Sequence, residues 1–186
     1  MIKNIEKEGA FMSLRSNRIS QDYAALKKML NQGILVQLEP FDKKNKSIDH
    51  LKVTIKGPKG TSYEGGLFLL EIKYPPDYPR QPPFMRIHTG LWHPNFWPKP
   101  TEYPGQRNIC LALIDPSLVG KKGGWSPSKT IVTVIQAITA MLNTKGYYVN
   151  PKDVFNKKAA MEMINDPKSF DKKVKFLVKK YANKKW

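Results

Sequence analysis

In HLKVTIK, residues 50–56, the apolar Leu51, Val53 and Ile55 alternate with His50, Lys52, Thr54 and Lys56. A period of two puts every apolar side chain on one face of a strand and every polar one on the other. A chain carrying such a strand must build a sheet with one wet face and cover the dry one. Three further strand candidates accompany it: ILVQLEP (34–40), with Ile34, Val36 and Leu38 in phase, then LFLLEIKY (67–74) and FMRIH (84–88). The connections are turn-like. FDKKNKSID is polar, GPKGTSYEGG is bounded by glycine, and YPPDYPRQPP is too rich in proline for helix or strand. Four short strands in succession predict an antiparallel meander with one buried face.

The cover is helical. From Asn17, Ile19, Tyr23, Leu26 and Leu30 share one helix face, with Ser16 as the expected cap and Gly33 as the stop. After the strands, Ser126 and Pro127 are expected to open a helix whose Ile131, Val134, Ile135, Ile138 and Leu142 form an apolar stripe. Asn156 is the expected cap of a short helix, and Asp166–Pro167 of the last one. Phe170, Val174, Leu177, Val178 and Tyr181 would form the buried side of that last helix. Residues 89–124 carry little regular pattern beyond a short turn near Cys110. Trp92, Phe96, Trp97 and Tyr103 supply packing groups there. A long segment of this kind in a folded domain marks function. The predicted fold class is therefore α+β: an N-terminal helix, a four-stranded antiparallel meander, a long active-site segment and three further helices. It forms one domain over residues 16–186, preceded by an extension, 1–15, expected to be loosely held.

Charge and cysteine usage narrow the function. Thirty-two Lys and Arg stand against 15 Asp and Glu, a net charge of +17. Such a chain favours acidic partners. Lysine predominates, no nucleic-acid-binding motif accompanies the charge, and nucleic acid is expected to bind only non-specifically. No apolar run approaches the ~20 residues of a membrane-spanning helix, and the first residues lack the apolar stretch of a secretory signal. No membrane partner is expected. A single cysteine, Cys110, excludes an internal disulfide and points to a reducing, intracellular setting, cytoplasm and/or nucleus. His50, His88 and His93 show no metal-ligand spacing, and no phosphate-cradling glycine loop is present, so neither metal nor cofactor is expected. Cys110 lies among Ile109, Leu111, Leu113 and Ile114, and by itself reads either as a core thiol or as a nucleophile.

Six motifs settle that choice by likeness. YEGGLFLLEIKYPPDYPRQPP (63–83), HPN (93–95), NICL (108–111), WSPSKTI (125–131), NPKDVFNKKAA (150–160) and DPKSF (166–170) follow one another. In that order they resemble a ubiquitin-conjugating enzyme from about residue 16 to residue 183. The resemblance implies the same helix, meander and helix order. It implies that Cys110 accepts ubiquitin or a ubiquitin-like modifier from an activating enzyme as a thioester. The modifier then passes to a lysine-bearing substrate or to a ubiquitin ligase.

Carried residue by residue, the resemblance makes Asn95 a stabiliser of the oxyanion or of the loop, with His93 and Pro94 supporting that turn. Asp153 positions or deprotonates the incoming lysine, and Asn150 precedes it in the motif. Ligase contacts are implied for Pro79, Arg80, Trp125, Ser126, Pro127 and Ser128. Contacts with the activating enzyme are expected from Arg15, Arg18, Lys27 and Lys28. A non-catalytic interaction module of the same fold is the alternative, and the presence of Cys110 weighs against it. A basic nucleic-acid-binding protein is a more distant one.

The chain departs from the family pattern in three places. Asn95 and Cys110 are 15 positions apart, about twice the usual separation, so the intervening residues must loop out for Asn95 to reach the thiol. Cys110 and Trp125 are also 15 apart, with the basic, glycine-rich Lys121–Gly124 between them. Arg80 stands where many members that work with RING-type ligases present an apolar residue.

Overall fold

The four strands pair in chain order, β1 (Leu35–Pro40), β2 (His50–Lys56), β3 (Leu67–Lys73) and β4 (Phe84–Ile87), as one antiparallel meander. The structure is a computed structural model that describes residues 2–98, 105–143, 149–151 and 153–183, with 2–11 as backbone only. Leu51, Val53 and Ile55 of β2 are buried, as the alternation predicts. Phe68, Leu70 and Ile72 of β3 and Met85 and Ile87 of β4 extend the same dry face.

β1 corrects the sequence reading. Its register slips between Leu35 and Gln37, so Val36 is the extra residue of a bulge. The bulge turns Leu35 inward, at 2 % exposure, and leaves Ile34 48 % exposed. Leu38 still packs against the core. Strict alternation from Ile34 therefore put the wrong residue inside.

Helix α1 runs from Ile2 to Asn31, well before the expected start. Ser16 lies inside it and caps nothing. No proline interrupts residues 1–31, and Glu, Lys, Ala, Met and Leu carry the helix through. Its end is as predicted. Gly33 adopts φ +71, and the amides of Gly33 and Ile34 return to the carbonyls of Leu30 and Met29, each at 3.0 Å. The face formed by Ile19, Leu26 and Met29 is buried, and the helix lies against β1 and α2.

The same face carries Asp22, only 3 % exposed, an acid the sequence reading passed over. Arg18 Nε donates to it at 3.3 Å, and so does the Tyr78 hydroxyl. Burial, then the Asp22 carboxylate, push the Tyr78 phenol far above its ordinary range.

Helix α2 spans Ile131–Met141 and starts later than expected. Thr130 is its cap, accepting from the Thr133 amide, while Ser126 closes a turn with Lys129 N at 2.9 Å. Ile131, Val134, Ile135, Ile138 and Leu142 are buried as predicted. Helices α3 (Lys157–Asn165) and α4 (Pro167–Tyr181) pack on each other and begin where the sequence placed them. Asn156 accepts from Ala159 N at 3.0 Å, and Asp166 from Ser169 N at 2.9 Å. Phe170 and Val174 are buried, but Tyr181 is 48 % exposed, against expectation. The helix end docks through Ala182, whose carbonyl accepts from Leu67 N at 2.7 Å, and this directs Tyr181 aside.

Candidate active site

The segment after β4 is held by backbone pairing and by one buried amide. Phe96 and Ile109 form an antiparallel bridge, and Trp97 N donates to Asn108 O at 3.1 Å. The Asn108 side chain, fully buried, takes the Ile87 amide at 2.9 Å and gives its own N–H to the Ile87 carbonyl at 2.8 Å. Asn108 thus completes the edge of β4 and anchors the residues that carry Cys110. The sequence reading passed over it. Its signal was a lone amide at the head of an otherwise apolar stretch, NICLALI.

Across this bridge Asn95 and Cys110 meet despite their separation. Cys110 N donates to Asn95 O at 2.7 Å, and Asn95 Nδ2 donates to Cys110 O at 3.1 Å. The side-chain amide is therefore aimed at the backbone of the cysteine. The Asn95 amide N–H donates to His93 Nδ1 at 3.0 Å, and His93 Nε2 lies 2.8 Å from Met141 O. That pattern requires Nε2–H and a bare Nδ1, a neutral ring. Full burial lowers the His93 pKa to about 4. Protonation would place an Nδ1–H against the Asn95 N–H. Phe96 meets the ring edge-on at 5.0 Å. Pro94 O accepts from Asn156 N at 2.8 Å, tying the turn to the start of α3.

His93 makes stability pH-dependent with a definite sign. The ring is neutral in the folded chain down to about pH 4 and protonates near 6.5 when unfolded. The unfolded chain binds the extra proton first. This contribution is therefore complete above pH ~6.5 and is lost as pH falls towards 4, up to ~3 kcal/mol. An NMR titration of the His93 ring is expected to stay flat from pH 7.5 to 5; a midpoint near 6.5 would contradict it.

Cys110 is half-buried. Its Sγ lies 3.8 Å from the backbone carbonyl of Asp153. Asp153 N in turn donates to Asn150 O at 3.0 Å, closing the turn that sets this carbonyl over the thiol. The sulfur opens into a groove of about 640 Å³ whose lining includes Trp97, Ile109, Leu111, Asp115, Asp153 and Phe155. Trp97 and Phe155 form one wall, with ring centroids 5.4 Å apart. Arg107, also in the lining, donates to Ile114 O at 2.8 Å and approaches Asp115 Oδ1 at 3.5 Å.

Burial, then the charges of Asp153 and Asp115, raise the thiol pKa. His93, occupied on both nitrogens, is not placed to activate the sulfur. Alkylation of Cys110 by iodoacetamide is expected to rise about tenfold per pH unit through neutrality and into the alkaline range. Asp153→Asn removes one repelling charge, and the rate at pH 7.5 should increase about two- to threefold. A slower variant would show that Asp153 promotes the thiolate instead.

The other expected site residues divide. Arg80, Pro127 and Ser128 are exposed, Pro79 and Ser126 are half-buried, and the Ser126 and Ser128 hydroxyls share a 2.9 Å bond. Trp125 is not available to a partner. It is 0 % exposed, its indole N–H donates to Pro79 O at 2.8 Å, and its ring packs by Tyr78. It joins the two loops from inside.

Arg15 and Arg18 also depart from the expected outward role. Arg15 donates to Pro75 O, Tyr74 O and Asp49 at 3.0–3.1 Å. Arg18 donates to Asp22, to Pro127 O at 2.9 Å and to Lys129 O. Both guanidiniums clamp α1 to the body, because their planar donor sets match clustered carbonyls and carboxylates. Lys27 and Lys28 remain exposed.

Among the described residues no cluster of His, Cys, Asp and Glu could hold a metal, and no helix is long and apolar enough to cross a membrane.

Residues 18–178 match the family model described as ubiquitin-conjugating enzyme. The chain is 30 % identical over 167 residues to ubiquitin-conjugating enzyme E2 14 of Schizosaccharomyces pombe, covering 90 % of this chain and 94 % of that protein. It is 33 % identical over 131 residues to a ubiquitin-conjugating enzyme E2 of African swine fever virus, covering 69 % of this chain but only 56 % of the viral protein. The E2 domain of a Toxoplasma gondii ubiquitin conjugating enzyme superposes with a TM-score of 0.68 at 30 % identity, over 90 % of this chain and 98 % of that one.

Proposed function

The chain belongs to the ubiquitin-conjugating enzyme family, and from that premise we propose that it carries ubiquitin, or a close relative, as a thioester on Cys110. In loading, the Cys110 thiolate attacks the carbonyl of the modifier's thioester with the activating enzyme. The new C–S bond forms as the old one breaks, and the activating enzyme's sulfur leaves as a thiolate. The exchange trades one thioester for another, so a raised thiol pKa is compatible with it: the small thiolate fraction at neutral pH is intrinsically nucleophilic. A resting thiol in this state also resists side reactions.

In transfer, a lysine amine attacks the same carbonyl, an amide forms, and Cys110 leaves as the thiolate. The amine must first lose its proton. The Asp153 carboxylate, on the groove rim beside the sulfur, orients the ammonium and accepts charge from it. Asn95 keeps the turn of Cys110 in place through the carbonyl it already binds, and a donor beside the developing oxyanion would add stabilisation. The activating enzyme uses the ATP, and among the described residues of α1 the exposed Lys27 and Lys28 offer it positive charge. The exposed Arg80 and the Ser126–Ser128 turn form the candidate ligase surface.

One observation carries this reading: the sole cysteine lies at a groove beside Asp153, on a segment pinned to the sheet edge. The test is incubation with activating enzyme, ATP and a panel of ubiquitin-like modifiers. A thiol-sensitive adduct with ubiquitin is the expected result. No adduct with any modifier would assign the chain to the non-catalytic interaction modules.

A further inference from the structure

The thioester chemistry makes no use of the outward side of α4. Lys168, Lys172, Lys175 and Lys179 are all exposed there. Steps of four, three and four residues place them on one stripe of a helix, about 16 Å long at 1.5 Å per residue. Among the described residues none of the four forms an ion pair. The nearby acids are engaged elsewhere. Asp171 accepts from Ser62 at 2.6 Å, Glu162 binds Trp92, Ser169 and Lys173, and Asp166 caps the helix. Phe176 flanks the stripe at 61 % exposure, with Lys180 Nζ 5.9 Å from its ring centroid. A line of unneutralised cations beside an open aromatic ring combines the two groups that hold a nucleic-acid strand: charge for phosphates and a π-face for a base.

We propose that the outward face of α4 binds single-stranded nucleic acid, its four lysines following the phosphates and Phe176 stacking on a base. An anionic membrane suits the face less well. The apolar side of α4, Phe170 and Val174, is buried in the fold, so Phe176 stands alone beside the stripe and makes no continuous greasy face to insert. A duplex suits it less well too, because its bases are already stacked and Phe176 would have no partner.

The test is fluorescence anisotropy of the full chain with a labelled 20-nucleotide oligothymidine over a range of salt concentrations. Lys168→Ala/Lys172→Ala/Lys175→Ala/Lys179→Ala is expected to lower affinity at least tenfold and to flatten the slope of log K against log[salt] by about 3, four contacts at ~0.7 each. Removing the same charge elsewhere, in Lys43→Ala/Lys44→Ala/Lys46→Ala/Lys59→Ala, should change affinity less than threefold. Phe176→Ala should cost about tenfold. Thermal melts confirm that each variant is folded. Equal losses in the two quadruple variants would reduce the binding to net charge and overturn the proposal. So would a duplex that binds as tightly and ignores Phe176→Ala, or phosphatidylserine vesicles that capture the protein at physiological salt while the oligonucleotide does not.

Discussion

Cys110→Ala is expected to give no modifier adduct at any time or enzyme concentration, while Cys110→Ser gives at most a slow adduct that survives reducing agent. The chain has one sulfhydryl, so no second thiol can take over the exchange. The effect is therefore a loss of activity, not a reduction. Serine keeps the position and the approach, since the sulfur is half-buried against the Asp153 carbonyl, but it replaces a thioester by an oxyester. The oxyester carbonyl is less electrophilic, so discharge to free lysine should fall far below that of the wild-type thioester. Both variants should melt with the wild type, because the thiol's one described polar contact is long. A reducible adduct on Cys110→Ala would place the chemistry elsewhere and end the proposed mechanism.

The largest stability effect is expected at Asn108. Asn108→Leu fits the volume but leaves the Ile87 amide and carbonyl buried without partners. Each orphaned group costs about 1–3 kcal/mol, so the variant should lose ~2–5 kcal/mol. That corresponds to a fall of roughly 5–15 °C in melting temperature for a domain of this size. Asn108→Asp keeps an acceptor for the Ile87 N–H and faces the Ile87 carbonyl with a second acceptor, so it should lose part of the same stability. Loading should fall in step, because the segment from Asn108 to Cys110 comes away from the sheet edge. A stable Asn108→Leu with unchanged loading would show that the backbone bridge alone holds the site.

What the sequence made legible follows from what each pattern encodes. Alternation in β2 reads directly as the dry face of Leu51, Val53 and Ile55, although Thr54 on the other face is buried too, and caps such as Asn156 and Asp166 are local hydrogen bonds that neighbouring residues announce. The bulge at Val36 is set by pairing with β2, which one strand's own pattern cannot report. Ser126 is a good cap by type, but Thr130 lies nearer the stripe and takes the role. Motifs pointed to Cys110, Asp153 and the HPN turn. The bonds of Asn108 and Asp22 were not legible, because their partners lie 21 and 56 residues away in Ile87 and Tyr78. The bonds of Arg15 and Arg18 were illegible for a related reason. On a sequence these arginines count as two surface cations, whereas their bonds reach carbonyls as far as 60 and 111 residues along the chain.

The bridge between Phe96 and Ile109 acts like a drawstring. Once it is tied, the number of residues between Trp97 and Asn108 ceases to set the distance from Asn95 to Cys110. Loop length at this place becomes a free variable. Insertions can add surface for new partners without re-tuning the contact between Asn95 and Cys110, and sequence separation between the two residues is no guide to whether they meet.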